Sequence, residues 1–581
     1  MGRSASITTL WTPLPDPDTF FANLFCRAPS FVWSVPMRLI ASLLFSCVLS
    51  APFAAARQNP PRALSDLGLT AVGRQHHPIH TSSREAQDYF DQGLTLIYGF
   101  NHEEAVRAFQ RAADLDPASP MPLWGIANAV GPNYNMDVDP EREKLAFETI
   151  QKAAKLAEGA PQVEKDYVAA MAARYSGDAS PDYKKLALAY AAAMRDLSQK
   201  YPDDLDAATM YAESLMNLNP WKLWSHDGKP GENTVEIVRV LESVLARDPN
   251  HAGANHFYIH AVEASPNPAR AIPSAMRLES LVPQAGHLVH MPAHIYVRTG
   301  DYLAAEKRNE VAAAVDRSYA EKAAQQGSIY DLMYHSHNEH FLAYAAAMSG
   351  QYAVAKAAAD KMAARLAPHA QMMAMLDFFI VTPIWVDARF GKWDSVLARP
   401  EPAKERQGLH IYWRYARVLA LAARGDADGA SAEFSKFSSE AAVIPADLRL
   451  GDQNTAAGVL AVASQVLQAR LAAARGNPEE ALQHWRSAAE AQDALNYSEP
   501  PDWYFPVRES LGAALLAAGK AQDAEAVFRK DLEQHPRNPR SLFGLLQALK
   551  AQQRDSDAAW VQRQFDEGWK DADTKLTLKD L

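Results

Sequence analysis

Eight of the chain's 18 histidines fall between Asn255 and His340, and their spacing is that of metal chemistry. Imidazole is the commonest metal-ligand side chain, and two of them four residues apart on a helix share a side and can grip one ion. His256 and His260 are such a pair, with Glu263 three residues on. His290 and His294 are a second, with His287 one turn earlier, and His337 and His340 stand three apart. A carboxylate beside several imidazoles suits zinc, iron, copper or manganese. Seven histidines exceed what one structural ion needs, which favours a multinuclear or catalytic centre, and two ions a few ångströms apart is one arrangement. The candidate ligands are therefore His256, His260, Glu263, His287, His290, His294, His337 and His340. No glutamate follows His256 or His290 in an H-E-x-x-H pattern, and there is no Cys-x-x-Cys-His haem attachment or Gly-rich nucleotide loop. Met291 and Met333 read either as soft copper ligands or as packing.

These side chains need helices to hold them, and the chain around them is built of helix formers. Runs such as Ala312–Ala314, Ala345–Ala347 and Ala472–Ala474 favour helix, and Val-Thr-Ile alternation is almost absent. A repeat runs through the helices. In residues 86–117, Tyr89, Gly93, Ala105, Phe109, Ala112 and Pro117 stand at positions 4, 8, 20, 24, 27 and 32, and residues 505–536 repeat the pattern with Gly512, Ala524, Phe528 and Pro536. Short Gly-then-helix turns recur at Gly300, Gly350, Gly391, Gly425, Gly476 and Gly519. The pattern resembles the tetratricopeptide repeat (TPR), a 34-residue helix–turn–helix. The resemblance implies an all-α, right-handed TPR-like superhelical solenoid of roughly nine to eleven helical pairs.

Laid on the centre of the chain, the repeat gives each histidine a direction. His256, His260 and Glu263 take positions 5, 9 and 12 of one repeat, His287, His290 and His294 take 2, 5 and 9 of the next, and His337 and His340 take 2 and 5 of a third. At 100° per residue these point away from the core positions 4, 7, 8 and 11. In repeats of this kind that face lines the concave groove. Tyr258, Tyr296 and Asn255 lie nearer the packed face. Two irregular segments flank the cluster in sequence. Residues 120–140 end in a long turn, and residues 219–233 carry Trp221 and Trp224 in a loop that is either a simple connection or a cover over the groove. Gln75 to His80, just before the first repeat, reads as a polar linker, a docked arm or an extra ligand set.

Composition bounds the rest. A net charge of −11 without a basic patch gives no support for nucleic-acid binding. Residues 37–56 combine a basic start, an apolar run and an Ala-x-Ala end, a secretory signal too short to span a membrane. Cleavage near Ala56 removes both Cys26 and Cys47, so the mature chain has no thiol to misoxidise in a periplasmic or secreted setting. The expected organisation is an upstream extension and signal over 1–56, a linker over 57–81 and N-terminal repeats over 82–218. A loop insertion with a helix follows over 219–250, then central His-rich repeats over 251–360, degenerate repeats over 361–464, C-terminal repeats over 465–570 and a tail over 571–581. With His-His-Pro-Ile at 76–79 and Gly-His-Leu-Val-His-Met-Pro-Ala-His-Ile at 286–295, the sequence resembles a group of exported bacterial TPR proteins. That resemblance implies fold and compartment and leaves activity open. Two functions stay in view: a groove that holds a transition-metal centre for hydrolysis, oxidation or storage, and a metal-free scaffold that binds a peptide or protein partner in the same groove.

Overall fold

A computed structural model describes residues 75–581; the signal and most of the linker lie outside them. The described chain is helical from end to end, and among the described residues the only β pairing is three isolated bridges. Successive helices pack as antiparallel pairs, from Arg84–Tyr98 on His102–Leu115 to Pro539–Ala551 on Asp555–Gly568. The fold is an all-α TPR-like solenoid.

The repeat residues explain the pairing. Ala105, Ala271, Ala305, Ala355, Ala481 and Ala524 are all buried where paired helices meet. The ring of Phe109 lies between Gly93 and Gly125, and the ring of Phe528 between Gly512 and Gly544, so close that a Cβ on any of these glycines would fall within 2.1–2.6 Å of it. Small residues on the first helices thus admit the large ring of the second. The six turn glycines at 300, 350, 391, 425, 476 and 519 all take a left-handed φ, between 62° and 83°, which lets the chain reverse in a few residues. Side-chain caps start many of the helices: Ser83 accepts from the Ala86 N–H, Asn101 from Glu104 and Asp301 from Ala304.

Two elements depart from the simple repeat, and both serve the central cluster. Pro292 lacks an N–H, so the first helix of its repeat splits into Gly286–His290 and Pro292–Thr299 around Met291. A π-helical turn, Tyr330–His335, leads into helix Ser336–Met348. Helix Ala456–Ala474 is long and apolar enough to cross a membrane, but it packs on Pro478–Asp493 within the solenoid core.

The solenoid also coils back on itself. At the N-terminal end the Tyr319 hydroxyl donates to Glu104 at 2.8 Å, and Leu288 packs against Gly99. At the C-terminal end Arg537 Nε donates to the Thr299 carbonyl at 3.1 Å, and Asp573 accepts from the backbone N–H groups of Tyr352 and Ala353 at 2.8 and 2.7 Å. Both ends of the described solenoid therefore close around the histidine-bearing repeats.

Candidate metal centre

Helix Ala252–Val262 supplies His256 and His260, and Glu263 is its C-cap. The split helix supplies His287, His290 and His294, and helix Ser336–Met348 supplies His337 and His340. Six of these side chains form two triads. The ring nitrogens of His256, His260 and His287 lie within 4.8 Å of one another, and so do those of His290, His294 and His337. The triads adjoin: the His260 and His294 ring centroids are 5.5 Å apart, and those of His287 and His290 are 5.6 Å apart.

The second nitrogen of each ring fixes which tautomer it can hold. His256 Nδ1 is 2.6 Å from the Tyr98 carbonyl, which can only accept, so Nδ1 carries the proton and Nε2 a lone pair. His260 Nδ1 is 2.8 Å from Glu263 Oε1, and His294 Nδ1 is 2.5 Å from Glu263 Oε2. His290 Nδ1 is 2.6 Å from Asn309 Oδ1, and the Asn309 amide donates to the Ala305 carbonyl at 2.7 Å, which fixes its orientation. Three imidazoles, those of His256, His260 and His290, are thus protonated on Nδ1 and turn Nε2 inward as a lone pair, while His294 Nδ1 and Glu263 Oε2 lie close without hydrogen-bond geometry. Nε2 of His256 and His260 and both nitrogens of His287 have no hydrogen-bond partner in the fold. In the other triad His290 Nε2 lies 2.9 Å, and His337 Nε2 3.5 Å, from His294 Nε2. At 2.9 Å the His290 and His294 nitrogens either share a hydrogen bond, with His294 Nε2 donating to the His290 lone pair, or present two lone pairs to one cation.

Electrostatics favours the neutral form of five of these rings. His256, His287, His290 and His337 are held well below the ordinary imidazole range, by burial first and by the neighbouring imidazoles second. Burial also lowers His260, against the pull of Glu263. For Glu263 burial opposes ionisation, but His294 and His260 overcome it and hold the carboxyl at about 2. A neutral imidazole is the form a metal binds, and a carboxylate on its Nδ1–H is the usual support behind it.

Two of the eight candidates stand outside the triads. Both oxygens of Glu263 are turned to imidazole Nδ1 atoms, so Glu263 orients His260 and His294 together. His340 turns to other elements, stacked on Tyr504 with 5.2 Å between centroids and edge-on to Phe378 and Phe379. Position 5 of a repeat can face either the groove or a neighbouring element, and here an aromatic wall takes His340.

The groove expected from the repeat register is filled. His256, His290 and His294 have no exposed surface, and only His337 of the six is partly exposed. The rings of Phe100 and Tyr334 pack on His287 at 5.4 and 5.1 Å, Tyr134 and Trp221 pack on His260 at 5.3 and 5.8 Å, and Phe341 lies 4.7 Å from His290. The segments at 120–140 and 219–233 are therefore covers, with Trp224 Nε1 donating to the Ala261 carbonyl at 2.8 Å. Phe100 and Trp221 both hold a left-handed φ, 56° and 61°, which bulky residues rarely adopt. A cavity next to the first triad is lined by Phe100, Phe257, Tyr98, His102 and Asn133.

Sequence reasoning did not single out Asn309, Phe100, Tyr134 or Tyr334. Asn309 left a signal: with Asp316 it is a polar residue on the alanine face of Ala305 and Ala312. A backbone φ leaves none. Gln75–His80 is a docked arm, with His77 Nδ1 3.0 Å from Asp206 Oδ2. His77, Asp204 and Asp206 are also close enough to hold an ion. Asp206, however, is already engaged by Gln75, Tyr98 and His251 as well as His77.

The chain matches no protein-family profile and no curated protein. Among solved structures it is similar to the human IFIT1 dimer with m7Gppp-AAAA, at 12% identity over 85% of this chain and 92% of that one, with a TM-score of 0.32. It is also similar to yeast Tom70, at 13% identity over 83% of this chain and 99% of that one, with a TM-score of 0.32. Likeness at that level says nothing of the histidines.

Proposed function

We propose that this TPR-like solenoid is an exported metalloprotein whose two adjoining histidine triads, His256/His260/His287 and His290/His294/His337, each hold a transition-metal ion. The observation that carries the reading is the set of tautomers: His256, His260 and His290 have Nδ1–H committed to an acceptor, and their Nε2 lone pairs turn into a buried space shared with His287, His294 and His337. A metal-free fold leaves that arrangement with unmade hydrogen bonds, each costing about 1–3 kcal/mol. Packing alone gives no reason to gather six imidazoles in this way.

Burial narrows the chemistry. A macromolecular substrate does not fit through the cover of Phe100, Tyr134, Trp221 and Tyr334, so the centre stores metal or acts on small molecules by hydrolysis or oxidation. The export half of the proposal rests on the apolar run at 37–56 and the cysteine-free mature chain; N-terminal sequencing of protein from the cell envelope should read from Arg57, and an uncleaved product would remove it.

The metal half is tested by melting. Bound metal stabilises the fold by about 2.7 kcal/mol at a hundredfold excess over Kd. Chelation should therefore lower the melting temperature, and restoring metal should raise it. An unmoved transition favours the metal-free scaffold instead.

A further inference from the structure

The donor set points to which metal the triads take. Every inward donor is an imidazole nitrogen. The described residues contain no cysteine, since Cys26 and Cys47 both lie outside them. The carboxylate at hand, Glu263, has both oxygens on imidazole Nδ1 atoms. The surroundings are rings: Phe100, Tyr134, Trp221, Tyr334 and Phe341. A charge placed there is taken out of water, and such a charge must be compensated nearby. Two divalent ions in the two triads bring four positive charges against two buried carboxylates, Glu263 and Glu499, the second of which interacts with His294. Two monovalent ions bring two, which those carboxylates can match.

The ion that fits is a soft, monovalent, nitrogen-binding one content with three ligands. We infer that the two triads bind a pair of copper(I) ions, one coordinated by His256, His260 and His287 and the other by His290, His294 and His337, with Glu263 as the shared counter-charge behind both. Imidazole serves copper and zinc alike, so the selection lies in burial and charge rather than in donor type. Zinc prefers a fourth ligand and carries the extra charge into a closed apolar wall. The inference rests on the reading that the histidines hold metal at all, and its test separates the two.

The full-length protein, purified without a histidine tag and stripped of metal, is titrated anaerobically with copper(I) against a chromophoric copper(I) chelator, and separately with zinc(II) against a zinc indicator. Two copper(I) ions per chain should resist the chelator, while zinc(II) binds more weakly or in lower amount. His256→Gln and His290→Gln should each lose one copper(I) and keep the other, with circular dichroism confirming that both variants remain helical. X-ray absorption of the copper(I) form should show three nitrogen neighbours and no sulfur. If zinc(II) fills both triads and copper(I) is lost to the chelator, the copper assignment falls and the metal reading stands. If neither ion is retained, both fall. Should a triad variant unfold, Glu263→Gln gives the second readout: it should weaken copper(I) at both sites, and unchanged binding at both would overturn the shared counter-charge.

Discussion

At the scale of single residues, the centre is defined as much by what stands behind the imidazoles as by the imidazoles themselves. Glu263 holds one ring of each triad, whereas Asn309 and the Tyr98 carbonyl each hold one ring of a single triad. Replacing a group of this kind typically weakens metal affinity 10–100-fold. Glu263→Gln should therefore lower affinity at both triads, while Asn309→Ala lowers it at the His290 triad alone; site-resolved competition titrations distinguish the two patterns. Gly286 is a second sensitive position. A Cβ there would fall 1.9 Å from Asp316 Oδ1, and that oxygen accepts from the Tyr330 hydroxyl, which in turn accepts from the His287 N–H. Gly286→Ala should cost about 1–3 kcal/mol through overpacking and displace His287, read as a lower melting temperature with weakened binding at the first triad. An unchanged melting curve would mean that Asp316 gives way freely.

At the scale of helices, the repeat places the ligands and the interruptions aim them. Ala305 is fully buried between paired helices. Ala305→Leu should overpack that contact by about 1–3 kcal/mol, and thermal melting checks it. Much of this was legible in the chain. The alanine and glycine positions foretold the buried contacts and the turns, because a small residue at a fixed repeat position has one steric purpose. The i, i+3 and i+4 spacing of the histidines led to the expectation that seven rings converge, and six of them lie in the two triads. The fate of His340 and the role of Glu263 were not legible, since a helical register gives a direction but not the element met along it. The closed cover was hidden for a related reason. Tyr134 and Trp221 sit in irregular segments whose path depends on distant partners, and the left-handed φ of Phe100 has no sequence signature.

At the scale of the molecule, the solenoid makes its interior by closing both ends around the central repeats. The N-terminal arm takes part: His77 binds Asp206, which also accepts from Tyr98, and the Tyr98 carbonyl holds His256. Burial would lower the pKa of His77, but the hydrogen bond and charge of Asp206 raise it above its ordinary 6.5. A raised folded pKa adds stability that is fully present below about pH 6.5 and fades as pH rises through the folded value. His77→Ala should therefore destabilise the fold by about 1.5–3 kcal/mol at low pH and by less at pH well above neutral, checked by denaturant unfolding at two pH values. A penalty independent of pH would mean that His77 binds Asp206 uncharged. The claim on which the whole account turns is that the closed interior holds metal. Element analysis of untagged protein purified from its native compartment tests it most directly. The account predicts two equivalents of transition metal per chain, falling to one on His290→Gln; protein that carries no stoichiometric metal, native or replenished, would contradict it.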